Sequence, residues 1–154
     1  MTKFVADCTL GKLVKELRML GYDTLYYRGQ DPHELIQIGR QEQRIILTRN
    51  VRLTARGVDG HIILIKEDKP LSQLKELLNQ GIVALDEKTF FSRCLLCNSL
   101  LDEIGREEAE GEVPDFVFYQ QKEFYRCHQC HRIYWPGSHQ ERMKQRFKEL
   151  RTED

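Results

Sequence analysis

The stretch Arg44-Ile-Ile-Leu-Thr48 decides the fold class, because it is the best-defined strand candidate in the chain. A short apolar run bounded by polar residues is typical of a strand inside a sheet. Similar runs lie on both sides of it, at Phe4-Val-Ala6, Thr24-Leu-Tyr-Tyr27 and His61-Ile-Ile-Leu-Ile65. These runs are the predicted strands of the first half of the chain.

Helical patterns separate the predicted strands. Leucine and valine recur at helical spacing before Gly21, and a later helix ends at Gly81. Asp31 and Pro32 begin another helix, as its N-cap and first helical residue. The predicted helices run from Leu10 to Leu20, from Pro32 to about Gln43 and from Pro70 to Gln80. Because strands and helices alternate, we expect a parallel sheet covered by helices.

Polar residues follow the predicted strands, and ligands of parallel sheets bind at the carboxyl ends of strands. Asp7 follows the first strand, and two interpretations of it stay open. It either caps the next helix or supplies a carboxylate to Mg²⁺ or Mn²⁺. Asp31 has the same two interpretations, with capping favoured because Pro32 follows it. The loops Arg28–Asp31 and Lys66–Asp68 complete this edge.

The third strand ends in Thr48-Arg49-Asn50. Arg49 can bind a phosphate with both arms of its guanidinium. Together with Asp7, these residues could hold one metal and one phosphate, which is the minimum apparatus of a nuclease. The alternative is a polar strand end that caps a helix at 51–53. The basic residues of the first helix form either a solvated face or a track for a nucleic-acid backbone. They are Lys12, Lys15 and Arg18.

Two Cys-x-x-Cys motifs lie in the second half of the chain. Four thiolates can surround one Zn²⁺ at about 2.3 Å per bond and leave no open position, so the predicted site is structural. The motifs lie farther apart than the usual 15–20 or so residues, which the segment between them can absorb. Histidines 128, 131 and 139 are alternative ligands. The predicted zinc ligands are Cys94, Cys97, Cys127 and Cys130, and Cys8 is predicted to be a small buried side chain.

Short secondary-structure elements are predicted around these motifs. The glutamate-rich segment from Leu101 to Asp115 is predicted to be a flexible acidic excursion. The predicted strands are Val117-Phe-Tyr119, Glu123-Phe-Tyr-Arg126 and Ile133-Tyr-Trp135, followed by a helix from Gln140 to Arg151.

Basic and aromatic residues alternate near the C-terminal end. This composition suits single-stranded nucleic acid, through base stacking and phosphate neutralisation. The alternative is that Tyr134 and Trp135 pack the small core of a zinc module, and for Trp135 that alternative is favoured. Arg132 and Arg142 are the nucleic-acid-binding candidates of this segment.

Charge and hydropathy restrict the class of protein. The chain has 24 basic and 24 acidic residues, so its overall charge favours no particular partner. The N-terminus turns acidic at Asp7 before a signal peptide could form, and no apolar run approaches the roughly 18 residues of a membrane span. We therefore expect a cytoplasmic protein without membrane association. Its reduced thiols favour metal binding over disulfides.

Six stretches together carry a family resemblance, and they cover nearly the whole chain. They are Phe4-Val-Ala-Asp7, Leu10-Gly-Lys-Leu13, Leu17-Arg-Met-Leu-Gly-Tyr-Asp23, Arg44-Ile-Ile-Leu-Thr-Arg-Asn50, Ser92-Arg-Cys-Leu-Leu-Cys-Asn98 and the segment from Cys127 to His139. The chain resembles the PIN-like ribonuclease domain found at the C-terminus of the Mut-seven exonucleases, which also occurs as small free-standing prokaryotic proteins. The resemblance implies a PIN-like three-layer α/β domain with a mostly parallel sheet over 1–90. It also implies a small zinc ribbon with a basic C-terminal helix over 91–154.

The resemblance also implies metal-dependent ribonuclease activity. Asp7 matches the first acidic residue of the family, and Asp31 matches an acidic position before the second helix. Asn50 occupies the position of the aspartate in the family's usual Thr-Arg-Asp. Its neutral oxygen binds a hard cation more weakly than a carboxylate does. Glu34, Glu67 and Asp68 are candidates to compensate.

The resulting expectation is an RNA-binding protein with Mg²⁺- or Mn²⁺-dependent phosphodiester hydrolysis. The alternatives are a non-catalytic RNA- or ribonucleoprotein-binding adaptor that keeps the nuclease fold, and a protein-interaction module. The predicted catalytic residues are Asp7, Asp31, Asn50 and Glu34, and the predicted nucleic-acid-binding residues are Lys12, Arg18, Arg49, Arg132 and Arg142.

Overall fold

The computed structural model describes residues 1–54 and 61–152. The strands are β1 Phe4–Ala6, β2 Thr24–Tyr26, β3 Ile45–Thr48, β4 Ile62–Leu64, β5 Asp102–Ile104, β6 Phe124–Arg126 and β7 Ile133–Tyr134. The helices are α1 Gly11–Met19, α2 Pro32–Gln41, α3 Val51–Thr54, α4 Pro70–Asn79, α5 Arg106–Ala109, α6 Asp115–Gln120 and α7 Ser138–Thr152. Short 3₁₀ turns cover Cys8–Leu10 and Glu87–Thr89.

The first four strands form one parallel sheet in the order β2-β1-β3-β4. Strand β1 lies between β2 and β3, which explains why all three of its residues are fully buried. The carboxyl ends of β1 and β3 lie side by side, because Ala6 pairs with Leu47. The predicted parallel α/β fold is confirmed.

Successive side chains of these strands point to opposite faces of the sheet, and helices cover both faces. Val5 and Ile46 pack with Leu35 and Ile36 of α2 and with Leu53 of α3. The opposite face packs against α1, α4 and α7 through a larger core that contains Phe4, Ala6 and Leu47 of the sheet. Helices on both sides of a sheet make the three layers that the resemblance implies.

Helix α7 packs on the α/β domain, although it lies at the other end of the sequence. Met143 and Phe147 are buried in the same core as the apolar residues of α1 and α4. The ring of Phe147 meets that of Phe90 edge to face, with ring centroids 5.7 Å apart. Lys148 forms an ion pair with Glu87 at 2.9 Å. The C-terminal helix thus completes the core of residues 1–90.

A second, antiparallel sheet has the order β5-β6-β7. The predicted flexible excursion over 101–115 is wrong, because this segment forms β5 and α5 and buries Ala109. The predicted strand Val117–Tyr119 is also wrong, since these residues lie in α6. Helix α6 buries Val117 against Phe124, and this packing outweighs the strand propensity of the local sequence.

Within residues 1–54 and 61–152, no helix combines the length and the apolar character that a membrane span requires.

Candidate functional site

A cleft of about 220 Å³ opens at the carboxyl edge of the parallel sheet. Asp7 from the end of β1 and Asp31 from the start of α2 both line it. Thr48 and Asn50 line it from the end of β3, and Tyr27 lines it from the end of β2. Parallel pairing places these strand ends side by side. Three of the four predicted catalytic residues are therefore brought together, although they are distant in sequence.

The carboxylate of Asp7 is held by four hydrogen bonds. Its Oδ1 accepts from the backbone N–H of Thr9 at 2.9 Å and from the Thr9 hydroxyl at 2.5 Å. Its Oδ2 accepts from the Thr48 hydroxyl at 2.6 Å and from the backbone N–H of Arg49 at 3.1 Å. Asp7 thus caps the turn that leads into α1 and also joins the ends of β1 and β3.

The donors around the cleft suit a hard divalent cation. Carboxylate, amide and hydroxyl oxygens are the ligands that Mg²⁺ and Mn²⁺ prefer. Each oxygen of Asp7 accepts one bond from a backbone N–H and one from a threonine hydroxyl, and hydroxyls rotate. Rotation of the Thr9 and Thr48 hydroxyls would free one lone pair on each oxygen without moving the chain. Mg²⁺ is commonly held by one or two carboxylates, waters and a substrate phosphate, which fits Asp7 with Asp31.

Asp31 and Glu34 have different surroundings. Oδ1 of Asp31 accepts from the backbone N–H of His33 at 3.0 Å, so this residue caps α2 as predicted. Glu34 is exposed on α2, and its Oε2 accepts from the hydroxyl of Tyr27 at 3.1 Å. Its side chain is not part of the cleft lining described above. Glu34 therefore anchors Tyr27, which itself lines the cleft.

Asn50 and Arg49 are both engaged by the protein. Oδ1 of Asn50 accepts from the backbone N–H of Arg52 at 3.0 Å, which caps α3. The guanidinium of Arg49 turns to the segment after β4, where it donates to the backbone oxygen of Glu67 and to Oδ1 of Asp68. Arg49 would have to leave Asp68 to bind a phosphate. That surface ion pair is weak, because Asp68 is largely exposed.

Two expectations about individual side chains are wrong. Arg18 is only 7% exposed, and its guanidinium donates to the backbone oxygens of Thr24 at 3.0 Å and Leu95 at 2.8 Å. It connects α1 to the second half of the chain and is not available to nucleic acid. Cys8 is exposed rather than buried, because it lies in the turn beside the cleft. Lys12, Arg132 and Arg142 are exposed.

The four paired cysteines converge in one cluster. Their sulfur atoms all lie within 4.8 Å of one another, and Sγ of Cys94 is 3.7 Å from Sγ of Cys130. A tetrahedral zinc ion with bonds of about 2.3 Å separates its sulfur ligands by roughly 3.8 Å, so the geometry fits. The chain can therefore hold a metal ion here, and thiolate ligands favour zinc.

Ionisation of the thiols also favours a bound cation. Burial raises the pKa of Cys94, but hydrogen bonds from the Tyr134 hydroxyl and from backbone N–H groups more than offset it and lower the pKa to about 7. Burial and the neighbouring thiols raise the pKa of Cys97 to about 12. Cys94 therefore ionises more readily than Cys97, and a divalent cation would neutralise the negative charge of thiolates held this close together.

Both cysteine pairs adopt the same backbone. In the first knuckle, residues 94–99, the N–H of Asn98 donates to the oxygen of Cys94 and the N–H of Cys94 donates to the oxygen of Ser99. The second knuckle, residues 127–132, repeats this pattern: His131 donates to Cys127, and Cys127 donates to Arg132. Asn98 and His131 occupy equivalent positions, and both have left-handed backbone, with φ of 69° and 64°.

The first knuckle is bound directly to the α/β domain. The side chain of Asn98, only 8% exposed, accepts from the N–H of Thr24 at 2.9 Å and donates to Asp23 at 2.6 Å. Arg93 donates to the backbone oxygen of Gly21 at 3.0 Å. Sequence reasoning missed these bonds because the partners are distant along the chain. Its one signal was an asparagine after a Cys-x-x-Cys pair, since asparagine tolerates left-handed backbone.

Comparison with known proteins adds a family match. The family model described as the Mut7-C RNAse domain matches residues 2–147 of this sequence. The human protein named Exonuclease mut-7 homolog is 33% identical over 101 residues, which cover 62% of this chain and 12% of the relative. The chain therefore corresponds to a small part of that protein. No solved structure matches the chain.

Proposed function

Because the chain belongs to the Mut7-C RNAse domain family, we propose that it binds RNA at the sheet-edge cleft and hydrolyses a phosphodiester bond with a divalent cation. One observation carries this proposal: Asp7, Asp31 and Asn50 line the same cleft at the carboxyl edge of the sheet. The human relative is named as an exonuclease, and this chain spans only 12% of it. RNA as the substrate of this chain is therefore part of the proposal.

The charge of the cleft explains why the proposed reaction depends on a cation. Two carboxylates in an open cleft repel a phosphate, so RNA cannot place a phosphodiester there unless a cation lies between them. A bound Mg²⁺ or Mn²⁺ would neutralise the phosphate and lower the pKa of a water molecule. Asp7 is kept in one orientation by its hydrogen bonds to Thr9, Thr48 and Arg49, which limits the cost of positioning a ligand there.

Asn50 limits the strength of this site. A carboxylate at position 50 would add a negative charge to the cleft wall and could still cap α3. We therefore expect Asn50→Asp to increase Mn²⁺-dependent cleavage of single-stranded RNA by about tenfold or more, which corresponds to about 1.4 kcal/mol. Asp7→Asn should abolish cleavage, because it replaces a cleft carboxylate, the proposed cation ligand, with a neutral amide.

The test compares these variants on one labelled RNA. Purified wild type, Asp7→Asn and Asn50→Asp are incubated with a labelled oligonucleotide and Mn²⁺, and Lys122→Gln serves as a surface control. Circular dichroism confirms that Asp7→Asn remains folded. Equal cleavage by all four preparations would indicate a contaminating nuclease and would remove the support for catalysis.

A second candidate function is an RNA-binding adaptor that keeps the nuclease fold. Asn50 favours it, since the neutral amide weakens the cation site and its oxygen already caps α3. If the protein is an adaptor, the wild type and Asn50→Asp should both bind the labelled RNA, and neither should cleave it. Absence of RNA binding would leave the protein-interaction module as the remaining function.

We propose a structural zinc ion at the four cysteines and a cytoplasmic location. The donor set closes the coordination shell and leaves no position for substrate. A reducing compartment would keep Cys94, Cys97, Cys127 and Cys130 as thiols. The division into an α/β domain over 1–90 and a ribbon with its helix over 91–154 is likewise proposed. Zinc would organise the ribbon, whereas α7 packs on the core of the α/β domain.

A further inference from the structure

A second groove, of about 440 Å³, lies where the ribbon meets Met19 of α1 and the start of α7, and it shares no described lining residue with the sheet-edge cleft. Its walls carry Phe116 of α6, Tyr134 of β7 and Trp135, which follows β7. Residues 137–140, where α7 begins, form one end. We call this feature the aromatic groove. The proposed cleavage reaction does not use it.

The aromatic groove exposes apolar surface that the fold leaves uncovered. Phe116 is 66% exposed, although aromatic rings favour burial. Trp135 is half-buried: it packs against the small core around Phe124, as the favoured interpretation predicts, and its indole lies over Gly137. Flat rings at the wall of an open groove are suited to stacking against a planar ligand, and every nucleobase has such a face.

The described charged residues that line the aromatic groove are all basic. Arg93 and Arg132 line it, and none of its described lining residues is a carboxylate. A neighbouring groove, of about 420 Å³, shares Phe91 and Gln140 with it but includes Glu87, Glu123 and Glu141. Because the whole chain has zero net charge, a lining with basic residues and no acidic ones is a local property. It selects an anionic ligand.

The start of α7 adds a further preference for anions. Ser138, His139 and Gln140 begin this 15-residue helix and line the aromatic groove, whereas Glu141, also in the first turn, lines the neighbouring groove instead. Free N–H groups in the first turn of a helix favour phosphate. Aromatic walls, exposed Arg132 and a helix start thus meet in one place.

We propose that the aromatic groove binds an unpaired base of single-stranded RNA. The base stacks on the exposed ring of Phe116, in the groove that Trp135 also lines, and the adjoining phosphate contacts Arg132 and the first turn of α7. This inference rests on the RNA binding proposed above and assigns the ribbon its own contact with the strand. It makes the RNA ligand single-stranded at this point, because both faces of a base inside a duplex are covered by its stacked neighbours.

The test measures binding of a labelled ten-nucleotide uridine RNA without divalent cations, so that cleavage does not interfere. Phe116→Ala should raise Kd about 5- to 150-fold, the range for loss of one stacked base. Arg132→Gln should also weaken binding. The matched controls are Tyr119→Ala, a 77% exposed aromatic on the same helix that does not line the groove, and Lys122→Gln. Both should bind like the wild type.

Trp135 is the single tryptophan of the chain, so its fluorescence reports on the aromatic groove directly. Single-stranded RNA should quench it in the wild type, and a blunt duplex of equal length should not. If the wild type binds RNA but Phe116→Ala and Tyr119→Ala bind equally well, the groove does not hold a base, while the proposed cleft function stands. That result would also fit a groove occupied by protein. If the wild type binds no RNA without divalent cations, the groove proposal fails, while the cleft proposal, which depends on a cation, is decided by the cleavage assay with Mn²⁺.

Discussion

The two cysteine knuckles have the same backbone but different relations to the rest of the molecule. In each, the residue after the second cysteine has left-handed backbone, and the same pair of backbone hydrogen bonds closes the turn. Asn98 of the first knuckle is buried and binds the start of β2. His131 of the second is exposed.

This difference separates two tasks that one motif performs. The metal ligands fix the local turn in both knuckles. The residue that follows decides whether the turn is also attached to the α/β domain. The first knuckle has that attachment through Asn98. Among the described residues, the second knuckle is linked to the first through the cysteine cluster and the Tyr134 hydroxyl, and helix α7, which follows it, packs on the domain.

The largest expected effect comes from losing the metal ligands. Structural zinc supplies on the order of 10 kcal/mol to the folding of small metal-binding modules. Cys130→Ser should therefore lose zinc and unfold β5–β7, as measured by metal content and circular dichroism. Cys8→Ser is the matched control, because Cys8 is exposed and lies outside the cluster.

Zinc removal should also distinguish the two knuckles. Under a chelator, amide hydrogen exchange should rise more at 127–132 than at 94–99, because hydrogen bonds to Thr24 and Asp23 retain the first knuckle. Equal loss of protection in both would show that the attachment through Asn98 has no effect on stability.

The next effect concerns the helix that attaches the second knuckle. Glu16 of α1 is 8% exposed, and its Oε2 has no hydrogen-bond partner among the described residues. Burial raises its pKa to about 7, although Arg146 of α7 lowers it. Ionisation therefore costs more in the folded than in the unfolded state. This contribution of Glu16 to stability is fully present below the unfolded pKa near 4.5 and is lost as the pH rises through 7.

Glu16→Gln removes this titration. The variant should be more stable than the wild type above pH 7, by on the order of 3 kcal/mol. Urea unfolding at pH 5 and pH 8 measures it, with exposed Glu110→Gln as the control. A wild-type stability that does not change between these pH values would contradict the prediction.

The attachment of the first knuckle should respond to pH in the opposite direction. Burial raises the pKa of Asp23, but hydrogen bonds from Arg44 and Asn98 outweigh it, so the pKa is lowered overall. Its contribution is present above the unfolded pKa and is lost as the pH falls through the folded pKa. Acid titration of stability should therefore be shallower in Asn98→Gly, which lacks the bond to Asp23.

The smallest effects compare the two left-handed positions directly. Glycine tolerates this backbone, so Asn98→Gly removes only the side-chain bonds and should cost about 2 kcal/mol, because the buried N–H of Thr24 loses its acceptor. His131→Gly should change stability by less than about 1 kcal/mol. Thermal unfolding of the zinc-loaded proteins measures both. Equal destabilisation would mean that Asn98 acts only through its backbone.

Local sequence was sufficient for most of the α/β domain. The apolar runs and helix signals placed β1–β4, α2 and α4 within a few residues, because parallel strands and capped helices are specified by their own neighbours. The sheet-edge cleft followed from the same reasoning, since Asp7, Asp31 and Asn50 each come directly after a strand or before a helix.

The sequence-based predictions were wrong where contacts between distant residues determine the secondary structure or the burial of a side chain. Residues 115–120 have strand-like composition but form α6, which packs on Phe124. Arg18 occupies a helix position that looks exposed, yet the backbone of Leu95 covers it. Neither outcome depends on nearby sequence, so periodicity and propensity could not predict it.

The packing of α7 has a consequence for biosynthesis. Met143 and Phe147 fill the core between α1 and α4, so that core stays open until both residues have left the ribosome. Residues 1–90 emerge first but cannot bury their leucines fully. At about 5–20 residues per second, several seconds separate the synthesis of α1 from that of α7. During this interval the nascent chain offers an apolar surface to chaperones.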